Sequence, residues 1–292
     1  MGGVATTSES EAPVAVELRG KIAQVRAGAL ARPTRAAGVL PGLAAHRQLT
    51  LGTDDADHAL EVSLVTHGID LAALGEGRRL RAGATAVLQV THRIVSSTGT
   101  AWVARVLRDG TVTVGDDIGT DATFDAPRFA VVTLSDRAAS GTRADESGAL
   151  AASILESAIG GTLVSRDVMA DDAAALQARL IELCDELVCD LVVTTGGTGL
   201  APRDVTPEAT LAVIDREVPG IAEAIRAGGL RKTPHAMLSR GVCGQRGSTL
   251  IVNLSGSPRA VREQLEILLP VLPHVLTTAS GVSQDCAGLG SR

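Results

Sequence analysis

One run of small residues, at positions 194–204, has the composition of a phosphate-binding loop. It reads Thr-Thr-Gly-Gly-Thr-Gly-Leu-Ala-Pro-Arg-Asp and follows the apolar segment 187–193, which is predicted to be a buried strand. The next residues, Thr-Pro-Glu at 206–208, are typical of the start of a helix, with the threonine as its cap. A strand that ends in glycines and threonines leaves several backbone N–H groups free to bind one anion. The run therefore predicts phosphate binding, although its glycines could also form only a turn with positive φ angles.

Two aspartates accompany this run. Asp204 ends it, and Asp171 follows the predicted strand 162–168. Carboxylates beside a phosphate site are suitable ligands for Mg²⁺. Each also has a structural interpretation, because Asp171 or its neighbour Asp172 can cap a helix and Asp204 can accept hydrogen bonds from turn amides. Their coincidence with the glycine run favours a site for magnesium and phosphates.

Four loops are predicted to meet at one edge of a sheet, at positions 135–141, 170–172, 194–204 and 253–258. In sheets built from parallel strands, ligands bind beyond the carboxyl ends of the strands, where such loops lie. Besides the two aspartates, we predict that these loops supply ligand-binding residues. They are Ser135, Asp136, Gly196, Gly197, Thr198, Gly199, Asn253, Ser255, Gly256 and Ser257.

The second half of the chain alternates short apolar runs with longer amphipathic segments. Strands are predicted at 129–134, 162–168 and 187–193, helices at 146–159 and 173–186, a hairpin at 236–242 and 249–254, and a closing helix at 258–271. This order predicts an α/β fold over 129–292, a three-layer α/β/α domain whose mostly parallel sheet has helices on both faces.

The first half has a different pattern. Residues 1–15 have no hydrophobic periodicity and are expected to be disordered. Residues 16–117 contain short β-like runs, and Asp109-Gly110 between two of them predicts a hairpin. A small β-rich, barrel-like domain is therefore expected over 16–117, followed by a linker at 118–128.

Composition excludes several classes of function. Aromatic residues are 1% of the chain and its net charge is −6, so neither base stacking nor a basic surface favours binding to nucleic acid. No apolar run approaches the ~20 residues that span a membrane, and no secretory signal is recognised. The four cysteines lack metal-site spacing, which favours core residues in a reducing cytoplasm. His235 and His274 have no serine or cysteine partner in a recognisable motif, so no nucleophilic catalysis is predicted.

The second half resembles the MogA/MoaB family, the molybdopterin-binding proteins of molybdenum cofactor biosynthesis. The similarity covers about 129–280 and includes the motif Gly-Gly-Thr-Gly-x-x-x-Arg-Asp-x-Thr-Pro that begins at Gly196. Further matches are Leu-Ser-Asp-Arg-Ala-Ala-Ser-Gly at 134–141, Glu-Val-Pro-Gly at 217–220, Met-Leu-Ser-Arg at 237–240 and Asn-Leu-Ser-Gly-Ser-Pro at 253–258. The family often has proline at the positions of Ala170 and Ser255. These two departures remove no functional group, so they are expected to affect ligand affinity more than the reaction.

This resemblance implies a reaction. The terminal phosphate of molybdopterin would attack the α-phosphate of ATP with Mg²⁺ present, giving adenylylated molybdopterin and pyrophosphate. The family's two essential aspartates correspond to Asp171 and Asp204, which are therefore expected to be the catalytic and metal-binding residues. A homotrimer and a molybdate-insertion protein as partner are also implied. The alternative is a MoaB-like carrier or scaffold that binds molybdopterin without turning over ATP.

The first half is similar to a MOSC domain, a β-rich module of molybdenum cofactor sulfurases. The similarity consists of individually weak strings in the family's order, around His46, Thr66–Leu71, Gly77–Gly83 and Val103–Gly110. The cysteine-bearing segment of that family is shortened here, and residues 1–183 contain no cysteine. A thiol-dependent sulfur transfer is therefore excluded, which leaves a degenerate module for cofactor binding or partner docking, or a structural remnant.

Overall fold

The structure is a computed structural model that describes residues 19–25, 39–40, 48–53, 64–67, 74, 77–96, 99–108, 110–120 and 126–280. The predicted disordered tail at 1–15 and the end of the chain lie outside these residues. Within the described part of the chain, no helix is both long enough and apolar enough to cross a membrane.

The described first half is built from strands. They are β1 (Arg19–Val25), β2 (Val39–Leu40), β3 (Gln48–Thr53), β4 (Leu64–His67), β5 (Arg79–Ala82), β6 (Ala86–Ser96), β7 (Gly99–Arg108), β8 (Val112–Thr113) and β9 (Asp117–Thr120). The largest sheet has the order β1-β4-β3-β7-β6-β5-β9 and closes on itself, because β1 also pairs with β9. Its interior is packed from aliphatic side chains and Trp102.

The second half alternates strands and helices. They are β10 (Arg128–Leu134), α1 (Asp136–Ala139), α2 (Glu146–Ile159), β11 (Thr162–Met169), α3 (Ala173–Ile181), β12 (Leu191–Thr195), α4 (Thr206–Leu211), β13 (Arg216–Glu217), α5 (Pro219–Leu230), β14 (Cys243–Arg246), β15 (Thr249–Leu254), α6 (Pro258–Leu268) and α7 (Leu272–Ala279). A π-helical turn, Glu182–Glu186, continues α3, and a 3-10 helix, Pro234–Leu238, precedes β14.

These strands form a mixed sheet in the order β11-β10-β12-β15-β14-β13. The first four run parallel, and β14 and β13 are antiparallel. Alternate residues of β10 pack into different cores: Phe129 and Val131 face α2, α5, α6 and α7, whereas Ala130 and Val132 face α3 and α4. Because alternate side chains of a strand point to opposite faces, the sheet has a helical layer on each side. The predicted α/β fold is confirmed in these terms.

The central strand β12 lies further along the chain than predicted. The segment 187–190 is a turn rather than the start of a strand, since Leu187 N–H still donates to the carbonyl of Glu182 and Val188 has a φ of 51°. Consequently Thr194 and Thr195 are fully buried strand residues and the glycine run starts at the very end of β12. Sequence periodicity alone could not find this offset, because residues 187–193 are apolar throughout the turn and the strand.

Both predicted hairpins are also wrong in detail. The strand before Asp109-Gly110 pairs with β6, and the strand after it pairs with β2. Residues 236–238 belong to the 3-10 helix, which Thr233 caps and which has proline at its first position, so only Cys243–Arg246 pairs with β15. Two further predicted boundaries differ from the structure. The predicted closing helix ends at Leu268 and is followed by α7. Finally, β9 extends to Thr120 and buries Ile118, so the first three residues of the predicted linker belong to the closed sheet.

The two halves of the chain meet at the amino ends of the central strands. Arg79 of β5 forms a buried ion pair with Asp190, the residue before β12. The carboxylate of Asp190 also accepts a hydrogen bond from the backbone N–H of Arg128, at 2.8 Å. Val87 packs against Val188 beside this pair. This contact lies at the opposite end of β12 from the glycine run.

Candidate functional site

A cavity of about 570 Å³ opens at the carboxyl ends of β10 and β12. Three of the four predicted loops contribute several residues each, and the loop after β11 contributes Asp171. The predicted site residues that line it are Ser135, Asp136, Asp171, Gly196, Gly197, Thr198, Gly199, Asp204, Gly256 and Ser257. The structure therefore brings together all the predicted site residues except Asn253 and Ser255.

Two residues of the glycine run have backbone angles that favour glycine. Gly196 and Gly197 have φ angles of 92° and 62°, a region that residues with a Cβ rarely adopt. A Cβ atom on Gly196 would lie 2.3 Å from the carbonyl oxygen of Leu134. The loop is therefore pressed against β10, which fixes its position at the floor of the cavity.

The threonine that was expected to cap α4 instead supports this loop. The hydroxyl of Thr206 donates to the carbonyl of Gly196 at 3.0 Å, and its backbone N–H donates to the carbonyl of Gly197 at 3.1 Å. The cap position is Val205, which makes no side-chain capping bond. Thr206, the first residue of α4, thus holds the carbonyls of two consecutive residues of the loop.

Arg240 holds the far end of the same loop. Its guanidinium donates to the carbonyls of Gly199 at 2.7 Å and of Asp204 at 2.5 Å, and it forms an ion pair with Glu208. Its backbone N–H donates to the carbonyl of Thr198 at 2.9 Å. Arg240 thus fixes the segment between the glycines and Asp204, and this contact joins two motifs that the sequence analysis treated separately.

Asp204 lies half-buried on the cavity wall. One of its carboxylate oxygens, Oδ2, accepts a hydrogen bond from the backbone N–H of Ala201 at 2.8 Å. The predicted structural role in a turn is therefore present. It involves one oxygen of the side chain, and the residue still lines the cavity.

Asp171 belongs to a network that ties three loops together. Its carboxylate accepts from the backbone N–H of Asp136 at 3.2 Å, and its own N–H donates to the carboxylate of Asp136 at 3.1 Å. Arg203 donates two hydrogen bonds to the same Asp136 carboxylate, at 2.6 and 2.7 Å. Asp136, which was predicted to bind ligand, is thus engaged with its neighbours on both sides.

The two carboxylates of this network have opposite electrostatic environments. Burial is the largest cause that raises the pKa of Asp171, and the charges of Asp136 and Asp204 act in the same direction. The pKa of Asp136 is lowered, mainly by the hydrogen bonds from Arg203. Asp171 is therefore a partly desolvated carboxylate with two like charges nearby, and a bound cation would favour its ionised form.

Ser135 and Ser257 line the cavity and also cap helices. The hydroxyl of Ser135 accepts from the N–H of Ala138 at 3.3 Å, and that of Ser257 accepts from the N–H of Ala260 at 3.2 Å. Each hydroxyl retains a proton that it can donate to a ligand.

Asn253 and Ser255 lie away from this cavity. Asn253 is buried, and its amide donates to the hydroxyls of Thr194 and Thr210 and accepts from the N–H of Val242. Both the backbone N–H and the hydroxyl of Ser255 are bonded to the side chain of Gln264, at 2.8 and 2.9 Å. The geometry therefore gives no support to ligand binding by the Asn253 side chain, and it places Ser255 on a separate cavity of about 550 Å³ behind α6.

The cavity also contains polar residues that the sequence prediction missed. Asp145 caps α2 through a bond from the N–H of Gly148 at 2.8 Å and accepts from the hydroxyl of Thr133 at 3.0 Å. Arg137 and Arg143 line the same cavity. The predicted start of the helix at 146 was a usable signal for Asp145, because the residue before it is a capping type.

Comparison with known proteins agrees with this architecture. Residues 130–274 match the family described as "Probable molybdopterin binding domain". A molybdopterin adenylyltransferase from Helicobacter pylori is 41% identical over 152 residues, which cover 52% of this chain and 86% of the relative. The molybdopterin adenylyltransferase of Escherichia coli K12 is 45% identical over 140 residues, covering 48% and 72%.

Solved structures give the same result for this half. The molybdopterin biosynthesis enzyme MoaB from Thermus thermophilus is 46% identical with a TM-score of 0.51, covering 54% of this chain and 99% of that one. The molybdopterin biosynthesis Mog protein from Mycobacterium ulcerans is 45% identical with a TM-score of 0.50, covering 53% and 99%. The predicted resemblance is thereby confirmed for the second half, whereas the similarity of the first half to a MOSC domain stays a prediction.

Proposed function

Since the chain belongs, through residues 130–274, to the molybdopterin-binding family that includes the molybdopterin adenylyltransferases, we propose that it transfers AMP from ATP to the terminal phosphate of molybdopterin. The reaction forms a bond between an oxygen of that phosphate and the α-phosphorus of ATP. The bond from the α-phosphorus to the bridging oxygen breaks, and its electron pair leaves with pyrophosphate. The attacking phosphate is already ionised, so no general base is needed.

The observation that supports this proposal most is the cavity itself. The loop Gly196–Gly199, in which Gly196 and Gly197 have positive φ angles, and two half-buried aspartates, Asp171 and Asp204, line the same space at the carboxyl edge of the sheet. The N–H of Gly196 donates to the carbonyl of Leu254 at 3.1 Å, so the N–H groups of residues 197–199 are the ones proposed to bind phosphate oxygens, which they do without carrying a charge. Adenylyl transfer needs both phosphate binding and the offset of charge on the triphosphate.

Asp171 and Asp204 would hold the magnesium ion that the family resemblance implies. The fit is judged from the donor set: two oxygen ligands suit Mg²⁺, which usually keeps several waters and binds substrate phosphates. The described residues offer no cluster of three or more metal-ligating side chains, so a site made only of protein ligands does not fit. When bound, Mg²⁺ offsets the charge on the phosphates.

The remaining residues of the cavity would hold the two carboxylates in position and bind the substrates. The network from Asp136 to Arg203 holds the backbone of Asp171, and Arg240 holds that of Asp204, so the two carboxylates keep their relative position. Ser135 and Ser257 can donate to phosphate or pterin oxygens. Such positioning supplies much of the rate enhancement when the protein itself does little covalent chemistry.

Release of pyrophosphate from ATP, with and without molybdopterin, tests this function. We expect release that depends on both molybdopterin and Mg²⁺. Asp204→Asn, which removes the charge and keeps the shape, should slow release by at least about a hundredfold, while Asp215→Asn, an exposed aspartate outside the cavity, should not. Tight molybdopterin binding with no release by the unaltered protein would overturn the proposal in favour of a carrier.

Further features are proposed from the sequence pattern and the family resemblances. They are a homotrimeric assembly, a molybdate-insertion protein as partner, a cytoplasmic location and a degenerate MOSC-like first domain followed by a short linker and the molybdopterin-binding domain. The closed sheet of β1, β3–β7 and β9 supports a barrel-like architecture for that first domain.

A further inference from the structure

Two arginines line the candidate active-site cavity without any ion-pair partner among the described residues. They are Arg137, at the start of α1, and Arg143, in the loop before α2. Both are exposed. The other arginines close to the site are already engaged, because Arg203 pairs with Asp136 and Arg240 pairs with Glu208. Arg137 and Arg143, the arginine pair, are therefore cations of the cavity wall that remain available to a ligand.

The chain folds so that the arginine pair is held together. The carbonyl of Arg137 accepts hydrogen bonds from the N–H groups of Thr142 at 2.9 Å and Arg143 at 3.1 Å, and from the hydroxyl of Thr142 at 2.9 Å. Gly141 permits this turn with a φ of 73°. The backbones of Arg137 and Arg143 are thus hydrogen-bonded to each other, which keeps the two residues close together.

The charges of the cavity explain what such a pair can do. Asp136, Asp145, Asp171 and Asp204 all line it, and ATP would bring a polyphosphate of the same sign. The aspartates proposed to hold Mg²⁺ are half-buried, whereas the arginine pair is exposed on the same cavity. A triphosphate bound in this cavity can therefore meet the aspartates, through Mg²⁺, with one part and the arginine pair with another.

We propose that Arg137 and Arg143 bind the β- and γ-phosphates of ATP and then the pyrophosphate that leaves. This assignment deepens the proposed adenylyl transfer and rests on it. Guanidinium groups suit this role because they present several donors in a plane and bind phosphate oxygens through paired hydrogen bonds. The pair would stabilise the negative charge that develops on the leaving group.

Calorimetric titrations of the full-length protein with Mg²⁺ and with ATP, pyrophosphate or AMP test the assignment. Arg137→Gln/Arg143→Gln should weaken ATP and pyrophosphate binding by roughly a hundredfold, and each single variant by about tenfold. AMP lacks the β- and γ-phosphates, so its affinity should change less than about threefold. The control, Arg166→Gln/Arg216→Gln, removes two exposed arginines from the edge strands β11 and β13 and should leave all three affinities unchanged.

Each outcome decides between distinct possibilities. Unchanged ATP and pyrophosphate affinities in the double variant, an equal loss of AMP affinity, or no pyrophosphate binding by the unaltered protein would overturn the proposal. Thermal unfolding of the double variant at the same temperature as the unaltered protein shows that the loss is not a folding defect. If ATP binding depends on the arginine pair but no pyrophosphate is released with molybdopterin, the pair is supported while the adenylyl transfer fails.

Discussion

The two halves of this chain differ in how their polar residues are used. In the second half, polar side chains and glycines of four loops line one cavity at the carboxyl edge of the sheet. In the described part of the first half, a buried charged residue, Arg79, serves contact with the second half. The closed sheet is thus attached to the α/β half through Arg79 and Asp190, and neither residue lines the cavity of the α/β half.

The position of this attachment separates its energetic effect from the chemistry. Asp190 precedes β12 and the glycine run follows it, so the five residues of that strand lie between them, about 16 Å of extended chain. A change at the attachment should therefore alter stability, and a change at the loops should alter activity.

The largest effect is expected from Gly196→Ala. The new Cβ would meet the backbone of Leu134, and the φ of 92° would be strained, so the loop must move. A displacement of this kind lowers activity by at least about a hundredfold and the free energy of unfolding by about 2 kcal/mol. Gly220→Ala, where nothing lies within 4 Å, is the matched control. Pyrophosphate release and urea unfolding would measure both quantities, and normal activity of Gly196→Ala would contradict the described loop.

The opposite pattern is expected from Arg79→Met. It removes the ion-pair partner of the buried Asp190 carboxylate, which keeps its hydrogen bond from the N–H of Arg128, and should lower the free energy of unfolding by about 3 kcal/mol. Pyrophosphate release by the folded fraction should stay within about twofold. Arg166→Met, at an exposed site, should change stability by less than about 0.5 kcal/mol. A large fall in activity of folded Arg79→Met would show that the two halves are coupled.

A smaller effect distinguishes Arg240 from a merely structural arginine. Arg240→Lys loses the branched contacts to Gly199 and Asp204 and should cost about 1–2 kcal/mol of stability and about tenfold in activity. Arg226→Lys is the control, since Arg226 donates to the carbonyl of Gly241 outside the glycine run. It should lose stability without loss of turnover. Equal activity losses in both variants would remove the special role of Arg240.

The smallest effect concerns the pH dependence of turnover. Asp171 must be ionised to bind a cation. Because its pKa is raised, the loss of activity on acidification should begin at a higher pH than an ordinary aspartate would give. Arg203 acts to lower that pKa, so Arg203→Gln should move the acidic limb to higher pH. At neutral pH the rate should change less than about fivefold, because the Arg203–Asp136 pair is exposed. A limb that moves to lower pH would contradict the described network.

Much of the candidate site could be predicted because its residues are local motifs. The glycine run, Asp171, Ser135 and Ser257 each follow a recognisable strand or precede a helix, so their shared sheet edge follows from the alternation of elements. Asn253 was included because the loop 253–258 matches a family motif, whereas in the structure it is the last residue but one of β15 and its side chain is bonded to Thr194 and Thr210. Sequence pattern does not say which way a strand-end residue points when both faces are buried.

Other features depend on long-range contacts that no local pattern contains. Arg240 contacts Thr198, Gly199 and Asp204, which lie 36 to 42 positions earlier in the sequence. It follows the 3-10 helix, part of which was predicted as a strand. The pairing of β8 with β2 rather than with β7 likewise depends on a distant partner. Local propensity predicted both hairpins, and tertiary packing determined which strands form.

A double-mutant cycle on Asp171→Asn and Asp204→Asn, read as molybdopterin-dependent pyrophosphate release, tests the central claim most directly. If the two carboxylates hold one cation, each single variant should lose nearly all of the activity and the double variant should lose little more, because the losses are not additive. Independent losses that multiply in the double variant, or a single variant with unaltered turnover, would contradict a shared site.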